Sequence, residues 1–115
     1  MKQINNLTNE PVQQFQVFTE DSTTLYIKLY YYVTQKSWFF DFSFGDYVCT
    51  GSRVTITPNA LRHLKNILPF GIAFLTTDGS NVEPYSLEDF ASGRVTVNIL
   101  SSDEVTEIEN EVYGV

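Results

Sequence analysis

The sequence predicts an all-β fold: a small antiparallel barrel or sandwich of six to seven strands with one or two short helices. Apolar and polar residues alternate through several segments, which is the period of a β-strand. Aromatic residues make up 15% of the chain and accompany many Val, Ile and Thr residues, the types enriched in strands. Gly45-Asp46 and Asp78-Gly79 are turn dipeptides that separate such segments. Together these features favour antiparallel strands joined by short connections.

A length of 115 residues suits one domain with its own hydrophobic core. The sequence contains no internal repeat and no low-complexity linker. We expect residues 1–10 to form a polar N-terminal arm, residues 11–101 a β-rich domain and residues 102–115 an acidic C-terminal segment. The single cysteine, Cys49, excludes an intramolecular disulfide and a zinc knuckle.

Net charge and the lack of sorting signals limit the classes of partner to expect. The chain has 14 acidic and 7 basic residues, and its net charge of −7 opposes binding to a nucleic-acid backbone, which needs clustered Lys and Arg. The N-terminal sequence lacks the apolar region of a secretory signal, and no apolar run is long enough to span a bilayer. We therefore expect cytoplasmic synthesis and partners that include neither nucleic acid nor membrane.

The first strand is predicted directly after the N-terminal arm. The stretch VQQFQVF alternates, with Phe15 on one face and Gln14 and Gln16 on the other. Asp21 and Ser22 can hydrogen-bond to their own backbone, so they predict a turn that ends this strand.

An aromatic hairpin follows. Alternate residues of LYIKLYYYV fall on two faces, and the same period returns in SWFFDFSF after a turn of three or four residues. One face is predicted to belong to the core and holds Leu25, Ile27, Leu29, Tyr31, Val33, Trp38, Phe40, Phe42 and Phe44. The other face holds Tyr26, Tyr30, Tyr32 and Phe39 beside Lys28. Tyrosine can bury its ring and expose its hydroxyl, so this second face fits solvent, a partly buried position or an interface.

The second half of the chain predicts short strands and helical turns. Gly51-Ser52 predicts a turn or bulge, and PNALRHLKNILP predicts at most a short helix that ends at Pro69. The apolar residues of that stretch fall at helical spacing: Leu61, Leu64, Ile67 and Leu68. FGIAFLTT is apolar as in a strand buried on both faces, and RVTVNIL predicts the last strand. SLEDF predicts a single helical turn capped by Ser86.

The C-terminal segment is strongly acidic. SSDEVTEIENEVYGV has five carboxylate side chains and no basic residue, and Ser101 with Glu104 fits a capping box. A short acidic helix and a loosely attached tail both fit this pattern. In either case Glu104 and Glu107 are suited to a basic partner.

No catalytic or cofactor motif is recognisable. The glycines are scattered, and none opens a long helix after a strand as a phosphate-binding loop requires. The single histidine, His63, has no motif around it, and the paired carboxylates lack the spacing of a calcium loop. We therefore predict that the protein is not an enzyme and that it has no catalytic residues, no cofactor and no metal. A small hydrolase or isomerase that acts through His63 and a carboxylate is the rival hypothesis.

Three functions fit the aromatic hairpin. Stacking of nucleic-acid bases also needs a basic groove, and only Lys28 and Lys36 lie nearby. A carbohydrate- or ligand-binding module that uses Tyr30, Tyr32 and Trp38 remains open, because sugar platforms need rings without positive charge. An interface with another protein requires no further assumption, since interfaces are enriched in aromatic residues and depleted in Lys. We rank this interface first and assign to it Tyr26, Tyr30, Tyr32, Phe39, Glu104 and Glu107.

The order of these motifs resembles the small baseplate plug proteins of contractile-tailed phages and prophages, the cyanophage-type plug domain. PVQQFQV resembles the Pro-led first strand, LYIKLYYYV the aromatic second strand, and SWFFDF, with Trp38 and Asp41, the Trp-led third strand. CTGSRVTI and the long stretch from GIAFLTT to ILSSDE continue in the same order, so that the resemblance covers residues 11–104. TPNALRHLKNILP departs from it, being more helical and more basic than the usual connection.

This resemblance implies a virion structural protein of the tail baseplate that acts through assembly. It implies a position where tube, hub and spike meet, a role in filling or sealing the tube end, and no catalysis or cofactor. The implied partners are baseplate hub, tail-tube or spike proteins, or further copies of the chain in a homo-oligomer. The implied location is the virion, after synthesis in the bacterial cytoplasm.

Overall fold

In the computed structural model, which describes residues 2–5, 7–18, 23–64 and 67–112, the chain forms two antiparallel sheets that pack on a common core. The strands are β1 (Lys2–Gln3), β2 (Val12–Phe18), β3 (Thr24–Tyr32), β4 (Ser37–Phe44), β5 (Tyr47–Arg53), β6 (Gly71–Thr76) and β7 (Val95–Leu100). The helices are a 3₁₀ helix (Arg62–Leu64), α1 (Glu88–Ala91) and α2 (Ser102–Glu111). The sheets have the strand orders β2-β3-β4-β5 and β1-β7-β6. The predicted fold class is confirmed in its sandwich form, because neither sheet closes into a barrel in this part of the chain.

The aromatic hairpin forms as its alternation predicts, except that Val33, expected on the core face, lies in the connecting loop and is 70% exposed. β3 and β4 pair antiparallel, with Leu29 opposite Phe40 and Tyr30 opposite Phe39. A four-residue loop joins them, and its last residue, Lys36, has a φ of +48°, which reverses the chain before β4. The predicted turn at residues 21–22 lies outside the described residues.

Aromatic rings within the core connect the two sheets. The ring centroids of Phe40 and Phe74 lie 5.2 Å apart, which joins β4 to β6. The ring of Trp38 meets that of Phe90 edge-on at 5.0 Å, so α1 packs on the same core. Aromatic pairs of this kind contribute about 0.5–1.5 kcal/mol each beyond the burial of their surface.

A third layer covers the outside of the three-stranded sheet. Ala73 of β6 and Leu100 of β7 form a second apolar cluster with Val105 of α2. The predicted capping box starts α2: Ser101 Oγ accepts a hydrogen bond from the backbone N–H of Glu104, and the Glu104 carboxylate accepts one from the N–H of Ser101. Because α2 covers its outer side, β7 is buried on both faces.

The start of the chain takes part in this sheet. Lys2 pairs with Ile99 and Gln3 with Asn98, and the N–H of Ile4 donates to the carbonyl oxygen of Val97 at 2.8 Å. The predicted boundaries of the arm, the domain and the acidic segment stay predictions.

The stretch before β6 contains a short helix, as the sequence predicts. Among its described residues it forms a 3₁₀ turn, Arg62–Leu64, and Ile67 keeps 64% of its surface exposed. Upstream of this turn the chain is attached to the edge of β6: Thr57 bridges to Phe74, and the N–H of Ala60 donates to Ile72 O at 2.7 Å.

A network centred on Arg94 holds the loop between β6 and α1. The guanidinium donates to the Asp89 carboxylate at 2.9 Å, and also to the carbonyl oxygens of Val82 and Glu83. Burial alone would raise the pKa of Asp89, but the Arg94 guanidinium and two backbone N–H groups bond to the carboxylate and hold the pKa below its usual range. The predicted cap is displaced by one residue, because Leu87 occupies the N-cap position of α1. Ser86 Oγ nevertheless accepts a hydrogen bond from the backbone N–H of Glu88.

Candidate binding surface

The solvent side of the four-stranded sheet, called the outer face here, gathers the predicted aromatic residues. Its members follow from the strand register, because residues directly opposite each other point to the same side. One cross-strand row contains Val12, Tyr30, Phe39 and Arg53. The rest of the outer face consists of Gln14, Gln16, Phe18, Tyr26, Lys28, Tyr32, Asp41, Ser43 and Val48.

Three rings form a cluster at one end of the outer face. Tyr30 stacks with Phe39 at a centroid distance of 5.9 Å, and Tyr32 lies 5.2 Å from Phe39 and 5.4 Å from Tyr30. Tyr32 and the separate Tyr26 are 49% and 55% exposed. The alternation therefore predicted the correct side of the sheet for all four rings, and their role as an interface stays a prediction.

A β-bulge ties this cluster to the centre of the sheet. The register between β4 and β5 shifts after Phe40, and the N–H of Gly51 donates to Asp41 Oδ1 at 2.8 Å. Gly51 has a φ of +74°, a backbone conformation in the left-handed region that favours glycine. The Tyr30 hydroxyl donates to the same oxygen at 2.9 Å. Burial, together with this bond to Asp41, raises the pKa of Tyr30 to about 12.

A concave groove of about 560 Å³ lies beside the cluster. It is shallow and open, and polar groups of Gln14, Gln16, Tyr26, Lys28, Asp41, Ser43 and Thr50 line it together with Phe15, Ile27, Phe42 and Val48. The Lys28 amine lies 5.6 Å from the centroid of the Tyr30 ring. The groove can therefore offer hydrogen-bond donors and acceptors next to exposed aromatic surface.

The two acidic residues predicted for the interface lie on another side of the molecule. Glu104 and Glu107 belong to α2, which covers the face of the three-stranded sheet that points away from the core. Glu104 is used in the capping box, and Glu109 pairs with Arg62 at 3.0 Å. The structure thus places the four aromatic residues on one face, with Tyr30, Tyr32 and Phe39 in contact, and keeps them apart from the acidic residues.

Other candidates from the sequence fall outside any such surface. Trp38 is fully buried, and its indole N–H donates to the carbonyl oxygen of Ser86 at 2.9 Å, so it cannot serve as a sugar platform. His63 is exposed on the 3₁₀ helix. Among the described residues, no three His, Cys, Asp or Glu side chains gather as metal ligands would. No helix in the described part of the chain has the length and apolar character needed to cross a bilayer.

Sequence reasoning missed the contacts that hold the loop before α1 against the ends of β3 and β5. The Tyr31 hydroxyl donates to the carbonyl oxygen of Tyr85 at 2.8 Å, and Arg53 pairs with Glu83 at 3.5 Å. Tyr85 itself is 56% exposed. Nothing in the local pattern signals these contacts, because they join residues that are distant in the sequence.

The sequence matches the family model described as cyanophage baseplate Pam3 plug gp18 over residues 1–103, which is all but the last twelve residues of the chain. A search of curated proteins found no match.

Proposed function

The chain belongs to the cyanophage baseplate plug family, and we propose that it fills or seals the end of the tail tube without catalysing a reaction. The match confirms the resemblance drawn from the motifs between residues 11 and 104. Membership indicates a structural role and a place in the virion tail. The tube-end position, the partner proteins and the absence of catalysis are parts of the proposal.

The aromatic content and low charge of the outer face are the observation that supports the proposal. The chain has a net charge of −7, yet this face contains only Lys28, Asp41 and Arg53 as charged residues, and Arg53 is paired with Glu83. Large aromatic residues with little charge are typical of the centre of protein interfaces. A surface of this kind on a structural protein supports docking to another baseplate protein.

The acidic surface of α2 supports a second contact. Asp103, Glu107 and Glu111 are spaced four residues apart and exposed, so they line one side of the helix. Like charges at this spacing destabilise a helix by a few tenths of a kcal/mol per pair, about 0.2–0.5. A basic partner surface would relieve this repulsion, and the contact would weaken as salt is added.

The layer order places these two surfaces on opposite sides of the sandwich, so that two partners can bind at once. We propose hub, tail-tube or spike proteins as these partners. The outer face would dock by shape and apolar contact, whereas α2 would orient the plug on a basic surface.

The test uses the two most exposed tyrosines of the outer face, Tyr26 and Tyr32. Tyr26→Ser together with Tyr32→Ser should abolish incorporation into purified tails or baseplates, while circular dichroism shows an intact fold. Tyr85→Ser is the matched control, because Tyr85 has similar exposure but lies on a loop. Normal incorporation of the double variant would contradict the proposal, as would an equal loss with Tyr85→Ser.

A second candidate function rests on the groove of about 560 Å³, whose volume is typical of ligand sites. Gln14, Gln16 and Asp41 provide the amide and carboxylate groups that bind vicinal hydroxyls of a saccharide. Titration with bacterial surface oligosaccharides, followed by backbone NMR shifts at these three residues, tests this function. Shifts that Asp41→Asn abolishes would favour it, and unchanged spectra would remove it.

A further inference from the structure

The described sheet edges differ in how well they are protected. β1 is paired over only two residues, and β6 is bridged at its outer edge by Thr57. β5 contains the bulge at Gly51 and ends at the cationic Arg53. Short length, bulges, charges and covering segments are the usual devices that stop an edge from pairing with another chain. β2 is less protected: its seven residues, Val12–Phe18, contain no charge, glycine or proline, although Leu7, Thr8 and Glu10 lie beside its first half.

The hydrogen-bonding groups at the β2 edge can be assigned from the register. The N–H of Tyr31 donates to the carbonyl oxygen of Pro11 at 2.8 Å, so odd-numbered residues of this strand bond to β3. The even-numbered residues therefore direct their backbone N–H and C=O groups away from β3. These residues, Val12, Gln14, Gln16 and Phe18, also point their side chains to the outer face.

The sequence of β2 is complementary to itself. When two copies of the strand run antiparallel about a twofold axis at Phe15, Gln14 lies opposite Gln16 and Val12 opposite Phe18. The Gln14 and Gln16 amides then face each other across the two strands, and so do the apolar side chains of Val12 and Phe18. The even-numbered residues occupy the hydrogen-bonded positions in this register, which is the arrangement that their free backbone groups require.

We propose that β2 pairs with β2 of a second copy of the chain, which joins the two four-stranded sheets into one continuous sheet. A cleft of about 360 Å³ separates the first half of the strand from Asn5, Leu7 and Thr8, and the partner strand would enter between them. This inference goes beyond the proposed plug function and does not depend on it.

Charge gives the pairing a recognisable salt dependence. Each copy has a net charge of −7, so two copies repel each other at low ionic strength, whereas β2 itself is neutral. Added salt screens this repulsion, and dimerisation should strengthen from 0.01 to 0.15 M salt as the Debye length falls from about 30 to about 8 Å. A contact of α2 with a basic partner would respond in the opposite direction.

The test measures the mass of the purified chain by sedimentation equilibrium. The wild type should form a dimer of about 26 kDa, twice the 13.1 kDa of the chain. The dimer should be detected at chain concentrations up to about 1 mM, because at that concentration even a contact with a Kd of 1 mM is substantially occupied. Gln14→Lys with Gln16→Lys places Lys opposite Lys twice across the twofold axis and should raise the dimer Kd about 10- to 100-fold. Gln14→Glu with Gln16→Glu should do the same.

The sharpest result is expected from a mixture. The Lys variant and the Glu variant should form a heterodimer when combined in equal amounts, because each Lys then faces a Glu. Val48→Lys with Thr50→Lys is the matched control on β5, the other edge of the same sheet, and should dimerise like the wild type. Circular dichroism and melting curves show that every variant is folded.

Three outcomes would overturn the proposal: a monomeric wild type, Lys and Glu variants that dimerise as well as the wild type, or a mixture that does not associate. Tyr26→Ser with Tyr32→Ser should leave the dimer intact. Loss of the dimer in this variant would show that the copies meet through the faces of their sheets and not through β2.

Discussion

Phe40 and Phe39 offer a direct test of which side of β4 faces the core. Phe40 is 2% exposed and packs on Phe74 and Phe42, with ring centroids 5.2 and 6.4 Å away. Truncation of such a residue to Ala removes its buried surface and leaves a cavity, which together cost about 3–5 kcal/mol. A domain of this size has a free energy of unfolding of about 5–15 kcal/mol, so Phe40→Ala should be close to the limit of folding.

The adjacent residue is the matched control. Phe39 lies on the outer face, partly exposed, and its truncation removes the ring contacts with Tyr30 and Tyr32. We expect Phe39→Ala to cost about 1–3 kcal/mol, because two ring pairs contribute about 0.5–1.5 kcal/mol each.

Urea unfolding, followed by tryptophan fluorescence, measures both effects. With an m-value of about 1.5 kcal/mol/M, a loss of about 4 kcal/mol lowers the midpoint by roughly 2.5 M, and a loss of about 1.5 kcal/mol lowers it by roughly 1 M. Equal shifts for the two variants, or a larger shift for Phe39→Ala, would refute the assignment of core and outer faces.

Three further predictions concern other parts of the molecule. Gly71→Ala should lower the free energy of unfolding by about 1–3 kcal/mol, because the new Cβ would lie 2.7 Å from Asn59 Oδ1; unchanged urea unfolding would contradict this contact. The lowered pKa of Asp89 stabilises the fold above the ordinary aspartate pKa of about 4, and this stability is lost as the pH falls through the lower folded value. Asp89→Asn should therefore flatten the dependence of the melting temperature on pH below the ordinary aspartate pKa of about 4, and an unchanged slope would count against the Arg94 contact. Fluorescence anisotropy should detect no binding to single-stranded DNA at about 0.15 M salt, and binding that weakens steeply with salt would contradict the prediction.

The part of the fold that the sequence predicts is the part governed by local alternation. Period-2 patterns predict β2, β3, β4 and their faces, and Ser101 with Glu104 predicts the start of α2. The placement of α2 on the outside of the three-stranded sheet does not follow from such patterns. It depends on apolar contacts of Val105 with Ala73 and Leu100, which are set only when the chain folds.

The candidate binding surface is likewise predicted by the sequence only where local alternation decides it. The four aromatic residues could be assigned to one face because their spacing alone decides the side of the strand. The bond from the Gly51 N–H to Asp41 could not be predicted, since it requires the register shift between β4 and β5. Likewise, the self-complementarity of β2 is visible in the sequence, but the free edge that makes it relevant is a property of the strand order.

The pairing of β1 with β7 determines how the molecule would respond to mechanical tension. Lys2 lies opposite Ile99, so the start of β1 and the beginning of α2 are at the same end of β7. A pull between them loads the Lys2–Ile99 pair first, then Gln3–Asn98, and finally the bond from Ile4 to Val97. Bonds that break one after another yield at low force, whereas bonds loaded in parallel resist together. Tension along this path would release β1 before it loads the four-stranded sheet and its outer face.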